Sequence, residues 1–390
     1  LMTEMRVPLL DLKPQLNELH EEILSAVTRV VASTQYIMGP EIDALERELA
    51  DYCGTSDAVG VSSGTDALLL SLMALDVGAG DLVLVPDFTF FATAGVVSRL
   101  NATPVFVDVD PVSYNLDPEQ VRITLQRLGT DASRVKAMIP VHLYGQCADM
   151  KPLLEIAKEQ GFAVIEDAAQ AIGAEYELDG KARRAGSMGE LGAFSFFPTK
   201  NLGGIGDGGI ITVNDPELAK TLRIKRVHGG EPKYHHKVIG GNFRLDPLQA
   251  AVIRVKLPRL EAWHAQRREN AERYTRLINE ASIGEFVRTP EAVLPEHLTN
   301  RHIYNQYVIR TQQRDELRAF LQSRNVASEI YYPIPFHQQE CFAYLKPRSD
   351  DYPVSRTAAQ QVLALPIYPG LTVEMQEYAV AQLREFYLGG

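Results

Sequence analysis

The chain has 390 residues, 45% hydrophobic and 23% charged, a composition ordinary for a globular protein long enough for more than one domain. Its formal net charge of −11 and lack of a basic cluster argue against a nucleic-acid-binding surface. No apolar run reaches the roughly 18 residues of a membrane span. The three cysteines, Cys53, Cys147 and Cys341, fit neither a disulfide framework nor a metal site, so we expect buried, reduced thiols in a cytoplasmic protein.

Helical spacing of apolar residues predicts an amphipathic helix over residues 14–33 and a second helix over about 41–52. From Asp57 onward, short apolar runs alternate with helical stretches. Seven of these runs are predicted strands: DAVGVS, DLVLVP, PVFVDV, VKAMIPV, FAVIED, GAFSFF and GGIITV. Strands separated by helices indicate an α/β fold whose mainly parallel, seven-stranded sheet is flanked by helices on both faces.

The regular alternation stops near residues 255–259, where a long helical stretch begins. Beyond it, strands (YNQYVIR, ASEIYYPIPF) and helices (RDELRAFLQSRN and a last one from about Val373) are more sparsely spaced. We therefore predict a large domain over residues 1–255, including the N-terminal helix, and a small C-terminal α+β domain over residues 256–390.

The segment VSSGTDALLLSL predicts a strand, a Ser/Gly turn and a helix that begins near Thr65. Free backbone N–H groups at a helix N-terminus bind phosphate, and Gly64 would let the backbone come close while the Thr65 hydroxyl adds a donor. The same SSGT sequence is also a good helix N-cap, which needs no ligand.

Three phenylalanines, Phe88, Phe90 and Phe91, follow the predicted strand DLVLVP. Such a cluster is typical of a hydrophobic core. One ring at the end of a strand could instead stack on a flat heteroaromatic ligand.

The run FAVIED predicts a buried strand, so Asp167 comes at the carboxyl edge of the sheet, where open α/β folds bind ligands. Lys200 follows another apolar strand and precedes a glycine-rich loop. It is either a solvated loop lysine or a desolvated amine of lowered pKa that can form a Schiff base with an aldehyde. A buried Asp167 needs a cationic partner. Pyridoxal 5′-phosphate (PLP) supplies both the aldehyde and a pyridinium nitrogen, so we predict a PLP site in the large domain.

With these features in one chain, the sequence resembles the DegT-like sugar nucleotide aminotransferases, PLP-dependent enzymes of the aspartate aminotransferase fold (fold type I). The likeness extends over essentially the whole chain. The matching segments are QYIMGPEI, SSGTDAL, VPDFTFFATA, PVFVDVD, IPVHLYGQCADM, VIEDAAQAIGA, FSFFPTKNLGGIGDGG, GNFRLDPLQAA, YYPIPFH and LALPIYP.

The resemblance implies a catalytic pair. Lys200 would hold PLP covalently and later move a proton between the cofactor and the substrate, and Asp167 would keep the pyridine nitrogen protonated. The other implied cofactor contacts are Gln170 at the phenolic oxygen, Phe90 stacked on the ring, and Gly64, Thr65 and Ser195 around the phosphate.

The resemblance also implies contacts outside this set. Asn242 matches an asparagine that reaches the phosphate in the neighbouring subunit, which implies a homodimer with shared active sites. Arg244, Tyr332 and His337 fall in segments that face the sugar nucleotide.

The implied reaction moves an amino group from an amino acid, usually glutamate, to a nucleotide-linked keto sugar. YNLDP, LYGQCADM and YHHKVIGGNFRLDPLQAA are most similar to enzymes that aminate C3 of a UDP-linked 2-acetamido-3-keto uronic acid, and Arg244 could bind that carboxylate. Those enzymes have His-Tyr where this chain has Tyr331-Tyr332. A dTDP-linked 3-keto-6-deoxyhexose, a 4-keto sugar and a free carbocycle remain alternatives. A regulator without catalysis is disfavoured by the acidic charge and the lack of a DNA-reading element.

Overall fold

A computed structural model describes residues 5–389. Its helices are α1 (Lys13–Ser33), α2 (Pro40–Cys53), α3 (Gly64–Ala74), α4 (Ala92–Arg99), α5 (Pro118–Leu128), α6 (Met150–Gln160), α7 (Pro216–Arg226), α8 (Pro247–Lys256), α9 (Leu260–Glu280), α10 (Arg314–Ser323), α11 (Pro353–Gln361) and α12 (Val373–Leu388). Its strands are β1 (Asp57–Val61), β2 (Leu82–Pro86), β3 (Thr103–Val107), β4 (Val135–Met138), β5 (Ala163–Asp167), β6 (Glu175–Leu178), β7 (Lys181–Arg184), β8 (Leu191–Ser195), β9 (Gly209–Val213), β10 (Tyr307–Arg310) and β11 (Val362–Leu365).

The seven predicted strands form one sheet, in the order β1-β9-β8-β5-β4-β2-β3. Strand β9 runs antiparallel to both of its neighbours, and the other pairings are parallel. This exception has a physical reason, because β8 and β9 are joined by a glycine-rich loop rather than by the crossover helix that parallel strands need. The predicted α/β fold with a mainly parallel sheet is confirmed.

Side chains of the strands alternate between two apolar layers, because successive residues of a strand point to opposite faces. In β2, Leu82 and Leu84 pack in one layer and Val83 and Val85 in the other. The first layer contains residues of α2, α6 and α8, and the second contains residues of α3, α4 and α7. Helices therefore cover both faces of the sheet.

The two predicted N-terminal helices are α1 and α2. Helix α1 buries Leu19, Ile23, Ala26 and Val30, at the spacing of one helical face. Among the described residues, no helix has both the length and the apolar character required to cross a bilayer.

The C-terminal part contains the antiparallel pair β10–β11 and helices α9 to α12. Its apolar cluster also includes Val7, whose backbone bonds to Asn325 and Ala327. The predicted strand in ASEIYYPIPF is wrong, since this segment forms only an isolated bridge at Glu329, and prolines 333 and 335 lack the N–H that a strand ladder uses. The domain boundary after residue 255 stays a prediction.

The cysteines divide into two groups. Cys53 and Cys147 are buried, as predicted, and burial raises the pKa of the Cys53 thiol to about 12. The prediction is wrong for Cys341, which is exposed because its short helical turn buries the neighbouring Phe342 instead.

Candidate active site

Several of the predicted site residues lie at one edge of the sheet. Strands β1, β2, β5 and β8 all end there, since their parallel arrangement brings their carboxyl ends together. Asp167 is the last residue of β5 and Ser195 is the last residue of the adjacent β8. Lys200 lies in the loop that follows, and Gly64 begins the helix after β1.

The Asp167 carboxylate is 5% exposed and faces no cationic side chain in direct contact within the described residues. Its Oδ2 accepts a hydrogen bond from the Thr93 hydroxyl at 2.9 Å, and its Oδ1 accepts one from the Ala169 N–H at 3.2 Å. Desolvation raises the pKa of Asp167. A buried carboxylate with neutral partners is suited to receive a cation from a ligand.

The neighbouring Glu166 has a structural role, because it points to the opposite face of β5. It is fully buried and accepts hydrogen bonds from the N–H groups of Gly186, Met188 and Gly189. Its Oε2 also lies 2.8 Å from Nε2 of His142, whose Nδ1 accepts from the Ala148 N–H. The ring proton of this imidazole is therefore on Nε2 and is donated to Glu166.

Lys200 has the electrostatic character predicted for a reactive amine. Desolvation lowers the pKa of Lys200 to about 8, and the nearby charge of Asp167 opposes that shift. The alternative of a fully solvated loop lysine does not fit this environment. Near neutral pH, a measurable fraction of the amine is uncharged and able to attack an aldehyde.

Three side chains hold the glycine-rich loop after Lys200. Gln249 of α8 accepts a hydrogen bond from the Ile205 N–H at 2.8 Å, and Lys256 donates to the Gly203 carbonyl at 2.7 Å. Asn201 donates to the Ile303 carbonyl at 3.2 Å. These contacts fix the loop on α8 and on the C-terminal part.

The SSGT turn caps α3 and brings its first turn close to the end of β8. Ser63 is the N-cap of α3 and accepts a hydrogen bond from the Asp66 N–H at 3.0 Å, so the capping interpretation is correct for this serine. Gly64 and Thr65 are the next two residues. A Cβ on Gly64 would lie 2.6 Å from Cβ of Ser195, so only glycine permits this close approach of α3 to the end of β8. The first turn of the helix and Ser195 thus form a small cradle that can hold a phosphate.

The three phenylalanines have different environments. Phe88 is fully buried, and Phe91 stacks on Phe342 with ring centroids 5.6 Å apart. Phe90 is 56% exposed, and its ring lies 6.1 Å from that of Tyr332. The core interpretation therefore holds for Phe88, while Phe90 is free to contact a flat ligand.

Gln170 is oriented by two residues. Its Oε1 accepts a hydrogen bond from the Tyr144 N–H at 2.7 Å, and its Nε2 donates to the Tyr332 hydroxyl at 3.0 Å. An amide nitrogen has two hydrogens, so one remains for another acceptor. No sequence pattern singles out Tyr144 or Thr93, since both act through tertiary contacts.

The remaining predicted residues lie in different surroundings. Asn242 is exposed, and Arg244 is half-buried beside Val61, with an Nε that has no partner among the described residues. His337 is buried, and its Nδ1 lies 2.6 Å from Oδ2 of Asp87. Its contacts are thus internal, and a contact between His337 and substrate stays a prediction.

These residues fit PLP on two structural grounds and one electrostatic ground. Asp167 is a buried carboxylate without a direct cationic partner among the described side chains, Lys200 has a lowered pKa, and Gly64 leaves room beside Ser195 where a side chain would not fit. Each ground corresponds to one part of the cofactor: the pyridinium nitrogen, the aldehyde and the phosphate.

Comparisons with known proteins agree with this geometry. The profile of the DegT/DnrJ/EryC1/StrS aminotransferase family matches residues 17–384. The chain is 47% identical to a "Pleiotropic regulatory protein" of Geobacillus stearothermophilus, over 98% of this chain and 99% of the relative. It is 41% identical to the UDP-N-acetyl-3-dehydro-alpha-D-glucosamine 3-aminotransferase of Acidithiobacillus ferrooxidans, over 97% and 96% of the two chains.

Two further matches come from Streptomyces venezuelae. The chain is 41% identical to its dTDP-3-amino-3,4,6-trideoxy-alpha-D-glucose transaminase, over 98% of this chain and 96% of the relative. The crystal structure of S. venezuelae DesV in complex with a ketimine intermediate superposes with a TM-score of 0.89, at 40% identity over 98% of both chains.

Proposed function

Because the chain belongs to the DegT/DnrJ/EryC1/StrS aminotransferase family, a family of PLP-dependent transaminases, we propose that it moves an amino group from glutamate to a nucleotide-linked keto sugar. The observation that carries the proposal is that Lys200, an amine of lowered pKa, lies near the buried carboxylate of Asp167 without forming an ion pair with it. Full-length similarity to relatives named as sugar transaminases supports the substrate class.

PLP, when bound, supplies an aldehyde and an aromatic ring that withdraws electrons from the carbon bearing the amine. Lys200 would hold the aldehyde, and its amine, once released, would move the proton at the α-carbon of the donor. Asp167 would keep the ring nitrogen protonated by its negative charge. The residues that would contact the rest of the cofactor are Gln170 through its second amide hydrogen, Phe90 on the ring face, and Gly64, Thr65 and Ser195 at the phosphate.

For the acceptor we propose C3 of a UDP-linked 2-acetamido-3-keto sugar in its uronic acid form. The names of two relatives specify position 3, one on a UDP-linked and one on a dTDP-linked sugar. Support for the uronate comes from Arg244, whose buried Nε is without a partner among the described residues and could bind a carboxylate. The runner-up is a dTDP-linked 3-keto-6-deoxyhexose, whose C5 methyl needs no cation.

We propose a homodimer in which Asn242 completes the phosphate site of the partner subunit. The exposure of Asn242 supports this arrangement, because a residue that acts on another chain has to be accessible. Several large apolar side chains are also exposed on this chain: Tyr36, Ile37, Phe197, Ile205 and Ile239. An interface between subunits would remove such side chains from water.

The substrate proposal is tested by two half-reactions. Glutamate is first used to convert bound cofactor to its amine form, and each keto sugar is then offered while the cofactor absorbance is followed. We expect the absorbance of the original aldehyde form of the cofactor to return when the UDP-linked 3-keto uronate is offered. Return with only the dTDP-linked deoxyhexose would exclude the uronate proposal, and return with only a 4-keto sugar would exclude amination at C3.

The same experiment separates the enzyme from a regulator without catalysis. That alternative is raised by the name of the Geobacillus relative. A chain that binds PLP but shows no spectral change with any amino donor would favour it.

A further inference from the structure

Tyr144 has a backbone conformation that its side chain disfavours. Its φ is 59° and its ψ is 1°, in the left-handed region that a bulky non-glycine residue rarely adopts. The residue is 5% exposed and lies in the loop between β4 and α6. Such conformations persist only where surrounding contacts enforce them, and they cluster at functional sites.

Those contacts use every polar group of Tyr144. Its N–H donates to Oε1 of Gln170 at 2.7 Å, and its carbonyl accepts from the Asn305 N–H at 2.8 Å. Its hydroxyl donates to the carbonyl of Tyr331. One residue thus connects the end of the sheet with two separate segments of the C-terminal part.

The contacts of the Tyr144 N–H and of the Tyr144 hydroxyl both affect the hydrogen bond between Gln170 and Tyr332. Gln170 donates to the Tyr332 hydroxyl, and Tyr332 directly follows Tyr331. The Tyr144 N–H fixes the orientation of the Gln170 amide, because it engages Oε1 and leaves Nε2 directed at Tyr332. The Tyr144 hydroxyl fixes the backbone that carries Tyr332.

We infer that Tyr144 is a positioning residue that keeps the Tyr332 hydroxyl within hydrogen-bond distance of Gln170. It thereby fixes the position of Tyr332 on the side of the active site where the keto sugar would bind. The kinetic effect that we expect rests on the proposed function, because Tyr332 would face the sugar while Gln170 would face the cofactor. The hydroxyl of Tyr144 should then matter for the sugar and not for the amino donor.

The variant Tyr144→Phe removes the hydroxyl and keeps the backbone N–H that orients Gln170. We expect the KM for the keto sugar to rise about three- to tenfold, the range for loss of one hydrogen bond. The glutamate half-reaction and the absorbance of bound cofactor should stay unchanged. The matched control is Tyr114→Phe, because the Tyr114 ring packs edge-on against Tyr144 at 6.3 Å but its hydroxyl lies near Arg310 rather than at the carbonyl of Tyr331.

A double-mutant comparison separates positioning from a general packing defect. If Tyr144 acts through Tyr332, the variant Tyr144→Phe/Tyr332→Phe should have the same KM for the sugar as Tyr332→Phe alone. The inference would be overturned if the KM for the sugar in the double variant rose by the product of the two single-variant fold-changes. Equal slowing of both half-reactions in Tyr144→Phe would also overturn it.

A second measurement does not depend on turnover. Amide hydrogen exchange in the peptide 327–336 should be faster in Tyr144→Phe than in the wild-type chain or in Tyr114→Phe, because the contact that holds Tyr331 is lost. Unchanged exchange would refute the inference even if the proposed reaction is correct. Faster exchange in a protein that aminates no sugar would refute the proposed function and leave the positioning role standing.

Discussion

Gly64 and Ser195 approach so closely that a Cβ on the glycine would lie 2.6 Å from Cβ of the serine. The variant Gly64→Ala should therefore push the first turn of α3 away from the end of β8 and weaken PLP binding. We expect roughly tenfold weaker binding or more, since overpacking typically costs about 1–3 kcal/mol. Cofactor titration monitored by absorbance measures the effect. Gly78→Ala is the matched control, because a Cβ there would meet no atom within 4 Å; equal affinity in both variants would argue against the cradle.

The carboxylate of Asp167 should be required for chemistry more than for binding. We expect Asp167→Asn to retain PLP but to lose transamination by about 100-fold or more, because removing one partner of a buried ion pair typically costs about 3–5 kcal/mol. Single-turnover rates with glutamate test this expectation. Near-normal rates would remove the electrostatic role of Asp167.

Substitution of Thr93 perturbs the Asp167 carboxylate less than its removal does. Thr93→Val deletes the hydroxyl that donates to Asp167 at 2.9 Å and keeps the carboxylate itself. The expected loss in rate is about tenfold, in line with one hydrogen bond to a charged group. Thr93→Ser retains the hydroxyl and should stay close to the wild-type rate; a Ser variant as slow as the Val variant would point to packing instead.

The pKa of Lys200 can be measured on protein freed of cofactor. Only the neutral amine reacts with an acylating reagent, so labelling of Lys200 should rise with pH around a midpoint near 8, the value to which burial lowers its pKa. In Asp167→Asn the midpoint should fall further, because the carboxylate charge raises the pKa of Lys200 in the wild-type chain. Peptide mass spectrometry gives the labelled fraction. A midpoint near the ordinary 10.5 would mean that the amine is solvated.

Shared active sites predict rescue between two inactive variants. Lys200→Ala subunits retain Asn242, and Asn242→Ala subunits retain Lys200, so a mixed dimer contains one intact composite site. We expect activity to return on mixing under conditions that exchange subunits. Absence of rescue in a preparation shown to contain mixed dimers would exclude a contribution of Asn242 in trans.

Much of the sheet is predictable because its signal is local. Each of the seven apolar runs is short and bounded by turn residues, and each forms a strand of the sheet, so the sequence alone places Asp167 at the sheet edge. The antiparallel direction of β9 is not predictable in this way, because strand direction depends on how the connecting loop packs. Strand alternation predicts the opposite orientations of Glu166 and Asp167. Only the fold shows that the Glu166 carboxylate accepts hydrogen bonds from backbone N–H groups and from His142.

The residues that support the site carry no such local signal. Thr93, Tyr144 and Gln249 act through partners that lie at least 26 positions away in the chain, and no spacing rule connects such pairs. His337 shows a related limit, since its motif indicates a substrate contact while its imidazole is bonded to Asp87 in the interior. Motifs therefore identify candidate residues, whereas their burial and hydrogen bonding depend on the tertiary fold.

Borohydride reduction can show whether Lys200 holds the cofactor covalently. The reagent converts the carbon–nitrogen double bond between lysine and PLP to a stable single bond, which peptide mass spectrometry can locate. Covalent attachment at Lys200 predicts one modified peptide, with PLP fixed to that lysine, and no such product from Lys200→Ala. Cofactor fixed to a different lysine, or an unchanged covalent absorbance band in Lys200→Ala, would contradict it.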